Sequence, residues 1–346
     1  MIRMIRKYKK LVYFLHALVH NGNISVQLSK LATNELHSVY TAHTEYNPDL
    51  RCESFDLDSL SEEMITLRKN YLEKGPGFVV VDNFWNPKYS MEQGKNGLLV
   101  LSQLFGGLMP QMAATGLLVK EVKDRSKSFD SDSTSRYSDS KQGGGYHTDG
   151  AELPPPLPAF LTLLCIRPAE KGGIFKVISA YDVHDALVEK APESLGRLYR
   201  NFHWDRRGDL GPNGEETFEK PIFSYSNSAH TLMLGTDYYA DQNNTLTCEY
   251  LRRYIDDGYK KAGVVQTEED VAALDSIDSV LYDDSIAYNI LMKPGQLVIS
   301  TNYYTLHGRT SFEDFDDQDS KRLMLRTWIK DKTQPSYSQQ KYAHLI

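Results

Sequence analysis

Residues 295–330 read GQLVISTNYYTLHGRTSFEDFDDQDSKRLMLRTWIK and contain three short strand patterns separated by polar turns. The patterns cover residues 295–301, 303–310 and 321–330. In a strand, alternate side chains point to opposite faces. One face of the third pattern therefore carries Arg322, Met324, Arg326 and Trp328. Two arginines among apolar neighbours are costly unless an anion meets them, so this face is predicted to contact a carboxylate.

The rest of the chain shows the same mixture of short strands and a few helices. Strand patterns occupy residues 78–81, 115–122, 158–167, 173–180, 220–225 and 231–235. Helical patterns occupy residues 59–74, 96–106, 181–200 and 266–283. Many short strands with Gly/Pro punctuation predict a mostly β fold with flanking helices, in the form of a β-sandwich or jelly roll.

Composition limits the classes of function. Of the 346 residues, 40% are hydrophobic and 25% are charged, which is typical of a globular protein. The net charge of −7 argues against non-specific binding to nucleic acid. Three scattered cysteines, Cys52, Cys165 and Cys248, are too few for a disulfide framework or a thiolate zinc site, so we expect a reduced, cytoplasmic setting.

The N-terminus is the one segment that resembles a targeting signal. A basic stretch, residues 1–10, precedes the apolar run 11–19. The run is too short to span a bilayer, which needs about 20 apolar residues, and no small-residue cleavage site follows it. We expect an amphipathic helix here and no membrane partner.

Two histidines and one aspartate form a candidate metal site. His147 and Asp149 are two positions apart, so in an extended segment both side chains point the same way. His307 follows the strand pattern that begins after Pro294-Gly295. Two histidines and one carboxylate make the facial triad of non-haem Fe(II) oxygenases. Alternatively, His147 is a surface histidine, and Arg322 and Arg326 only pair with the acidic residues between 313 and 319.

The formal charges of such a site balance. Two neutral histidines and Asp149 around Fe(II) leave one positive charge. A chelating 2-oxo dicarboxylate adds two negative charges, and one arginine cancels the remaining one. A buried site of this composition is therefore physically plausible, whereas a buried arginine without an anion is not.

The ordered motifs resemble a known family. His147-Thr148-Asp149, then His307-Gly308-Arg309-Thr310-Ser311-Phe312, then Arg322-Leu323-Met324-Leu325-Arg326 follow the pattern of the Fe(II)/2-oxoglutarate-dependent oxygenases of the taurine dioxygenase and clavaminate synthase-like group. Residues 77–84 resemble the family's early strand, so the likeness covers roughly residues 75–330.

The resemblance implies a double-stranded β-helix core and a reaction. The reaction is the oxidative decarboxylation of 2-oxoglutarate by O2, coupled to the oxidation of a substrate C–H bond. His147, Asp149 and His307 would then be iron ligands. Arg322 would hold the distal carboxylate of 2-oxoglutarate, and Arg326 would approach the co-substrate or an anionic group of the substrate.

Two positions refine this expectation. The related halogenases lack a carboxylate where this chain has Asp149, so hydroxylation or desaturation is favoured over halogenation. After Gly172-Gly173 the family usually has Thr or Ser, which contacts 2-oxoglutarate, whereas this chain has Ile174-Phe175-Lys176. The hydroxyl contact is then missing, or Lys176 or Thr162 replaces it.

The expected organisation has three parts. Residues 1–74 form a helical or irregular extension packed on the core. Residues 75–335 form the oxygenase domain, with an insertion around 181–290, and residues 336–346 form a tail. The Ser-, Asp- and Gly-rich segment 123–146 is either a lid or a disordered insertion.

The sequence thus predicts an oxygenase of a small carboxylate or amino-acid-like substrate. The alternatives are a non-catalytic jelly-roll protein that uses the metal site for sensing, and, less favoured, a halogenase of the same fold. His184, His203 and His230 are expected to be structural or surface residues, and Arg206-Arg207 to lie on the surface.

Overall fold

The computed structural model describes residues 24–111, 115–125, 136–154, 157–225 and 246–331. Its strands are β1 (Ser25–Val26), β2 (Phe78–Val81), β3 (Gly106–Met109), β4 (Val119–Val122), β5 (Gly144–His147), β6 (Phe160–Arg167), β7 (Lys171–Gly172), β8 (Phe175–Ser179), β9 (Phe202–Asp205), β10 (Thr217–Lys220), β11 (Phe223–Tyr225), β12 (Leu246–Cys248), β13 (Tyr288–Ile290), β14 (Leu297–Thr301), β15 (Thr305–Arg309), β16 (Phe312–Glu313) and β17 (Leu323–Asp331). Its α-helices are α1 (Lys30–Ala42), α2 (Asp58–Leu67), α3 (Met91–Phe105), α4 (Ala180–Lys190), α5 (Pro192–Leu198), α6 (Arg252–Ala262) and α7 (Glu268–Leu281).

Two sheets build the core. The larger has the strand order β1-β2-β14-β6-β17-β3, and β4 also pairs with β17. The smaller has the order β13-β8-β15-β5. Buried side chains of both sheets form one cluster, which includes Phe78, Leu163, Val177, Val298 and Met324. The predicted mostly β architecture with flanking helices is therefore confirmed.

Helix α3 covers the outer face of the larger sheet. It begins at a capping box, in which the Ser90 side chain accepts from the Gln93 backbone and the Gln93 side chain accepts from the Ser90 backbone. Leu98 and Leu101 of this helix are fully buried in the same cluster as Leu164 and Leu325 of the sheet. The two faces of β6 and β17 therefore have different roles, because one packs on α3 and the other faces the second sheet.

The observed boundaries refine the predicted elements. The helix expected over 59–74 ends at Leu67 and continues as a π-helical turn, Arg68–Glu73. The stretch 181–200 is divided into α4 and α5 where Pro192 stands at the first position of α5. Helix α6 and strand β3 were not predicted, and the strand expected at 231–235 lies outside the described residues.

The predicted domain boundaries stay a prediction. Within the described part of residues 1–74, β1 pairs in parallel with β2, so this region adds an edge strand to the larger sheet. The chain leaves the smaller sheet after β8 and returns at β13, which pairs with β8. The predicted insertion around 181–290 lies between these two strands and also stays a prediction. The N-terminal run 11–19 and the tail 336–346 lie outside the described residues.

In the described ranges, no helix combines the length and the apolar character that a membrane crossing requires. The three cysteines are free thiols, and Cys165 and Cys248 are buried.

Replacing His184 with glutamine should reduce the acid sensitivity of folding. Burial lowers the pKa of His184 to about 4, and its Nε2 lies 2.8 Å from the Tyr199 hydroxyl. Below its ordinary pKa of about 6.5 the unfolded chain takes up a proton that the folded protein resists. Between pH 7 and pH 4 the wild type should therefore lose up to about 3 kcal/mol more unfolding free energy than the variant. Urea unfolding of both proteins at several pH values measures the difference, and parallel pH curves would contradict it.

Candidate metal centre

Strand pairing brings the two histidines together. In the smaller sheet, β5 and β15 run antiparallel and place His147 directly opposite His307. Their ring centroids are 4.4 Å apart. The next residue, Gly308, allows this close approach, because an added Cβ atom would lie 2.9 Å from the Gly144 carbonyl oxygen. Steric crowding therefore explains why the His-Gly-Arg motif has glycine at position 308.

Three donor atoms converge beside this strand pair. Asp149 Oδ1 lies 3.8 Å from His147 Nε2 and 3.9 Å from His307 Nε2. All three ligand atoms lie within 4.8 Å of one another. The structure therefore brings together the three residues that the sequence singled out, in the arrangement that one cation can share.

The protonation of these residues suits a metal ligand set. Burial lowers the pKa of His307 to about 3 and also lowers the pKa of His147, so both rings are neutral near pH 7. His147 Nδ1 lies 2.9 Å from the Gly145 carbonyl oxygen, and a carbonyl only accepts. Nδ1 therefore carries the proton and Nε2 keeps its lone pair. Burial opposes the ionisation of Asp149, but the charge of Arg326 and the hydrogen bond from Trp328 lower its pKa to about 2.

Surrounding side chains fix the position of Asp149. The Asn302 amide accepts from the Asp149 backbone N–H at 2.9 Å and donates to its carbonyl at 2.8 Å. Trp328 Nε1 donates to Oδ2 at 2.8 Å, and Arg326 Nη1 donates to Oδ1 at 2.7 Å. Gln111 in turn accepts from Arg326 Nε at 2.8 Å. The carboxylate is thus oriented through both its backbone and its side chain.

A cavity of about 70 Å³ opens on one side of the triad. His147, His307, Arg322 and Arg326 line it, together with Leu163 and Phe175. Arg322 is 3% exposed, and its Nε has no hydrogen-bond partner in the described part of the chain. Burial lowers the pKa of this guanidinium to about 10. A buried guanidinium with an unpaired N–H fits an anionic ligand in this cavity.

The family model for "Taurine catabolism dioxygenase TauD, TfdA family" matches residues 42–328. This chain belongs to the TauD/TfdA family. The resemblance that the motifs predicted is therefore confirmed.

Two curated proteins that are similar in sequence to this chain come from Streptomyces. FR-33289 synthase of Streptomyces rubellomurinus (strain ATCC 31215) is 28% identical over 214 residues, which cover 61% of this chain and 56% of the relative. Uridine-5'-phosphate dioxygenase of Streptomyces sp. is 27% identical over 183 residues, which cover 53% of this chain and 60% of the relative. The chain thus matches little more than half the length of either relative.

Solved structures share the fold. An asparagine oxygenase in complex with Fe(II), 3-hydroxyasparagine and succinate superposes with a TM-score of 0.61 at 16% identity, over 89% of this chain and 94% of that one. The non-haem iron oxygenase OrfP in complex with Fe and alpha-ketoglutaric acid gives a TM-score of 0.60 at 15% identity, over 88% and 93%. At this identity the likeness concerns the fold, and it agrees with the predicted jelly-roll core of this TauD/TfdA family member.

The structure corrects the prediction for Thr162. On β6, Leu161 and Leu163 line the cavity, so Thr162 points to the opposite face. Its hydroxyl lies 2.6 Å from that of Thr327, which in turn lies 2.7 Å from that of Ser102 on α3. Thr162 therefore belongs to the packing of α3 and does not reach the cavity.

Lys176 does not replace the family's hydroxyl contact either. On β8, Phe175 lines the cavity and its ring centroid lies 5.7 Å from that of His307. The alternating direction of side chains then turns Lys176 away. Among the described lining residues, the hydroxyl groups come from Tyr137 and Ser138.

Replacing Thr162 with valine should cost stability and leave co-substrate binding unchanged. The substitution keeps the side-chain shape and removes one buried hydrogen bond, which is worth about 1 kcal/mol. Urea unfolding should show this loss, and the KM for 2-oxoglutarate should equal that of the wild type. A raised KM would restore the discarded role of Thr162.

The described part of the predicted lid is anchored by the strand that carries His307. Arg309 Nη2 donates to the carbonyl oxygens of Ser140 at 2.9 Å and Gln142 at 2.8 Å. Arg309 lies in the His-Gly-Arg motif, but the motif alone did not predict these contacts. Residues 126–135 of the predicted segment 123–146 lie outside the described residues, so the lid stays a prediction.

The remaining polar residues of interest lie away from the triad. His184 and His203 make aromatic contacts with Tyr199 and Tyr259, and His230 lies outside the described residues. Arg207, expected on the surface, is 6% exposed and pairs with Asp205 and Asp257. The expectation that Arg207 lies on the surface is therefore wrong. The two carboxylates compensate its charge and so make its burial possible.

Proposed function

We propose that this chain is an iron- and 2-oxoglutarate-dependent oxygenase that hydroxylates, or desaturates, an unactivated C–H bond of a small substrate. The observation that carries the proposal is the convergence of His147 Nε2, Asp149 Oδ1 and His307 Nε2 beside a cavity that contains Arg322. In this proposal the three residues hold Fe(II), and Arg322 binds the distal carboxylate of 2-oxoglutarate. When bound, the iron and 2-oxoglutarate supply the oxidising power of the reaction, with O2 as oxidant and succinate and CO2 as products.

The residues of this chain supply binding, orientation and charge. Asn302 and Trp328 keep Asp149 aimed at the histidines through hydrogen bonds to its backbone and its carboxylate, and burial keeps both imidazoles neutral. Arg326 is placed between Asp149 and the cavity, where it meets an anionic group of the substrate or co-substrate. We propose a carboxylate-bearing, amino-acid-like substrate and a cytoplasmic location, which the anion-binding arginines and the free cysteines support.

The proposal is tested with the protein reconstituted with Fe(II) under anaerobic conditions. On admission of O2, succinate release from 2-oxoglutarate should rise when amino acids and related carboxylates are added as a panel. Oxygen uptake should follow succinate release. A non-catalytic metal-binding protein would release no succinate, and product formation that depended on chloride would indicate a halogenase.

A further inference from the structure

We infer that Glu152 and Arg136 form a substrate-recognition subsite in which Glu152 binds the ammonium group of a zwitterionic substrate and Arg136 faces its carboxylate. The inference rests on the proposed function and names the residues that select the substrate. It concerns a second cavity, separate from the one that contains Arg322.

The second cavity, of about 40 Å³, lies on the Asp149 side of the triad. Asp149, Arg326 and Trp328 line it from the metal side, and Arg136, Glu152 and Tyr254 complete its wall. His147 and Arg326 also line the cavity that contains Arg322. A substrate in the second cavity would therefore lie against the same centre as the co-substrate, from a different direction.

A tight turn aims Glu152 at this cavity. The turn follows Asp149 directly, with Gly150 at φ +76° and a hydrogen bond of 2.8 Å from the Leu153 N–H to the Gly150 carbonyl. A positive φ favours glycine at this position. The turn places Glu152 three residues after Asp149, on the wall of the same cavity.

A buried lysine holds the turn rigid. Lys220 is 3% exposed, and its Nζ donates to the carbonyl oxygens of Ala151 at 3.0 Å and Leu153 at 3.4 Å. Its charge is matched by Glu249, whose Oε2 lies 2.5 Å away. The backbone on both sides of Glu152 is thus tied to one buried ion pair, which preorganises the carboxylate for a ligand.

The ion pair of Glu152 is suited to exchange with a ligand. Arg136 Nη1 lies 2.5 Å from Glu152 Oε1, and it is the one ion-pair partner of Glu152 within the described ranges. Glu152 is 4% exposed, whereas the Arg136 side chain is 25% exposed, so only the carboxylate is largely removed from water. A pair of this kind adds little net stability. A substrate with an ammonium and a carboxylate replaces each partner by a group of the same charge. The net charge of the subsite therefore stays the same. A substrate without an ammonium group offers Glu152 no positive charge in place of the Arg136 guanidinium.

The test uses the protein loaded with Fe(II) and 2-oxoglutarate without oxygen, and calorimetric titration with the twenty proteinogenic L-amino acids. At least one should bind the wild type, and the N-acetyl derivative of the best binder should bind at least about 30-fold more weakly, because Glu152 loses its ammonium partner. Glu152→Gln should lower the affinity for the free amino acid by at least about 30-fold and leave the affinity for its N-acetyl derivative unchanged. The control, Glu313→Gln, removes an exposed ion pair with Lys171 and should change neither affinity.

A charge-swapped protein separates recognition from structural support. Glu152→Arg combined with Arg136→Glu keeps an ion pair, so a purely structural role predicts wild-type binding, whereas recognition predicts its loss. The inference is overturned if no free amino acid binds the loaded wild type, if Glu152→Gln binds it normally, or if the charge-swapped protein does. If the wild type takes up neither Fe(II) nor 2-oxoglutarate, the proposed function itself fails, so the two failures are distinguishable.

Discussion

Replacing His307 or Asp149 with alanine should abolish 2-oxoglutarate turnover while the protein stays folded. Both side chains converge on the proposed iron site. Asp149→Ala also removes the carboxylate that pairs with the buried Arg326, so we expect this variant to fold with a lower free energy of unfolding than the His307 variant. Loss of a residue that only orients a metal ligand costs about 10- to 100-fold in metal affinity or activity, so loss of the ligand itself should cost more than about 100-fold. Succinate release measures turnover, and circular dichroism with thermal unfolding checks the fold.

The matched control for the histidine is His203→Ala. His203 is also partly buried, but its Nδ1 lies 3.6 Å from Glu219 in the hairpin of β9 and β10. The control should keep wild-type turnover. Full activity of a folded His307 or Asp149 variant would show that the ligand assignment is wrong.

Replacing Arg322 with alanine should raise the KM for 2-oxoglutarate by about 30-fold or more and change kcat less. The reason is that truncating one partner of a buried, hydrogen-bonded charge pair costs about 2–5 kcal/mol. Arg322 Nε is buried without a protein acceptor in the described residues, so the carboxylate of the co-substrate is its natural partner. Initial rates over a range of 2-oxoglutarate concentrations give both constants.

The neighbouring Arg167 provides the control for this prediction. Its Nε donates to the Lys321 carbonyl at 2.9 Å, and it does not line the cavity. Arg167→Ala should therefore leave the KM unchanged. If Arg322→Ala also left it unchanged, the anion that meets Arg322 would not be 2-oxoglutarate.

Local periodicity explains which parts of the site were predictable. The alternation over residues 321–330 assigned Arg322 and Arg326 to one face and Leu325 to the other. In the structure both arginines line the cavity and Leu325 is buried against α3. The same rule applied to β6 would have separated Thr162 from Leu163. Nothing in the sequence, however, indicated which of those two faced the metal, because that depends on which side α3 covers.

The residues that sequence reasoning missed act through contacts between distant segments. Asn302 lies 153 positions after Asp149, in the loop between β14 and β15, and its side chain accepts a hydrogen bond from the Asp149 backbone. Glu152 follows the His-x-Asp motif closely, yet its partner Arg136 and its support Lys220 come from other parts of the chain. Such pairings depend on register and loop paths, which a pattern within one segment does not encode.

The most direct test of the proposed iron site is anomalous diffraction at the iron edge from a crystal grown anaerobically with Fe(II). We predict a single peak per chain within bonding distance of His147 Nε2, Asp149 Oδ1 and His307 Nε2. Iron bound elsewhere, or bound by fewer than these three side chains, would contradict the account.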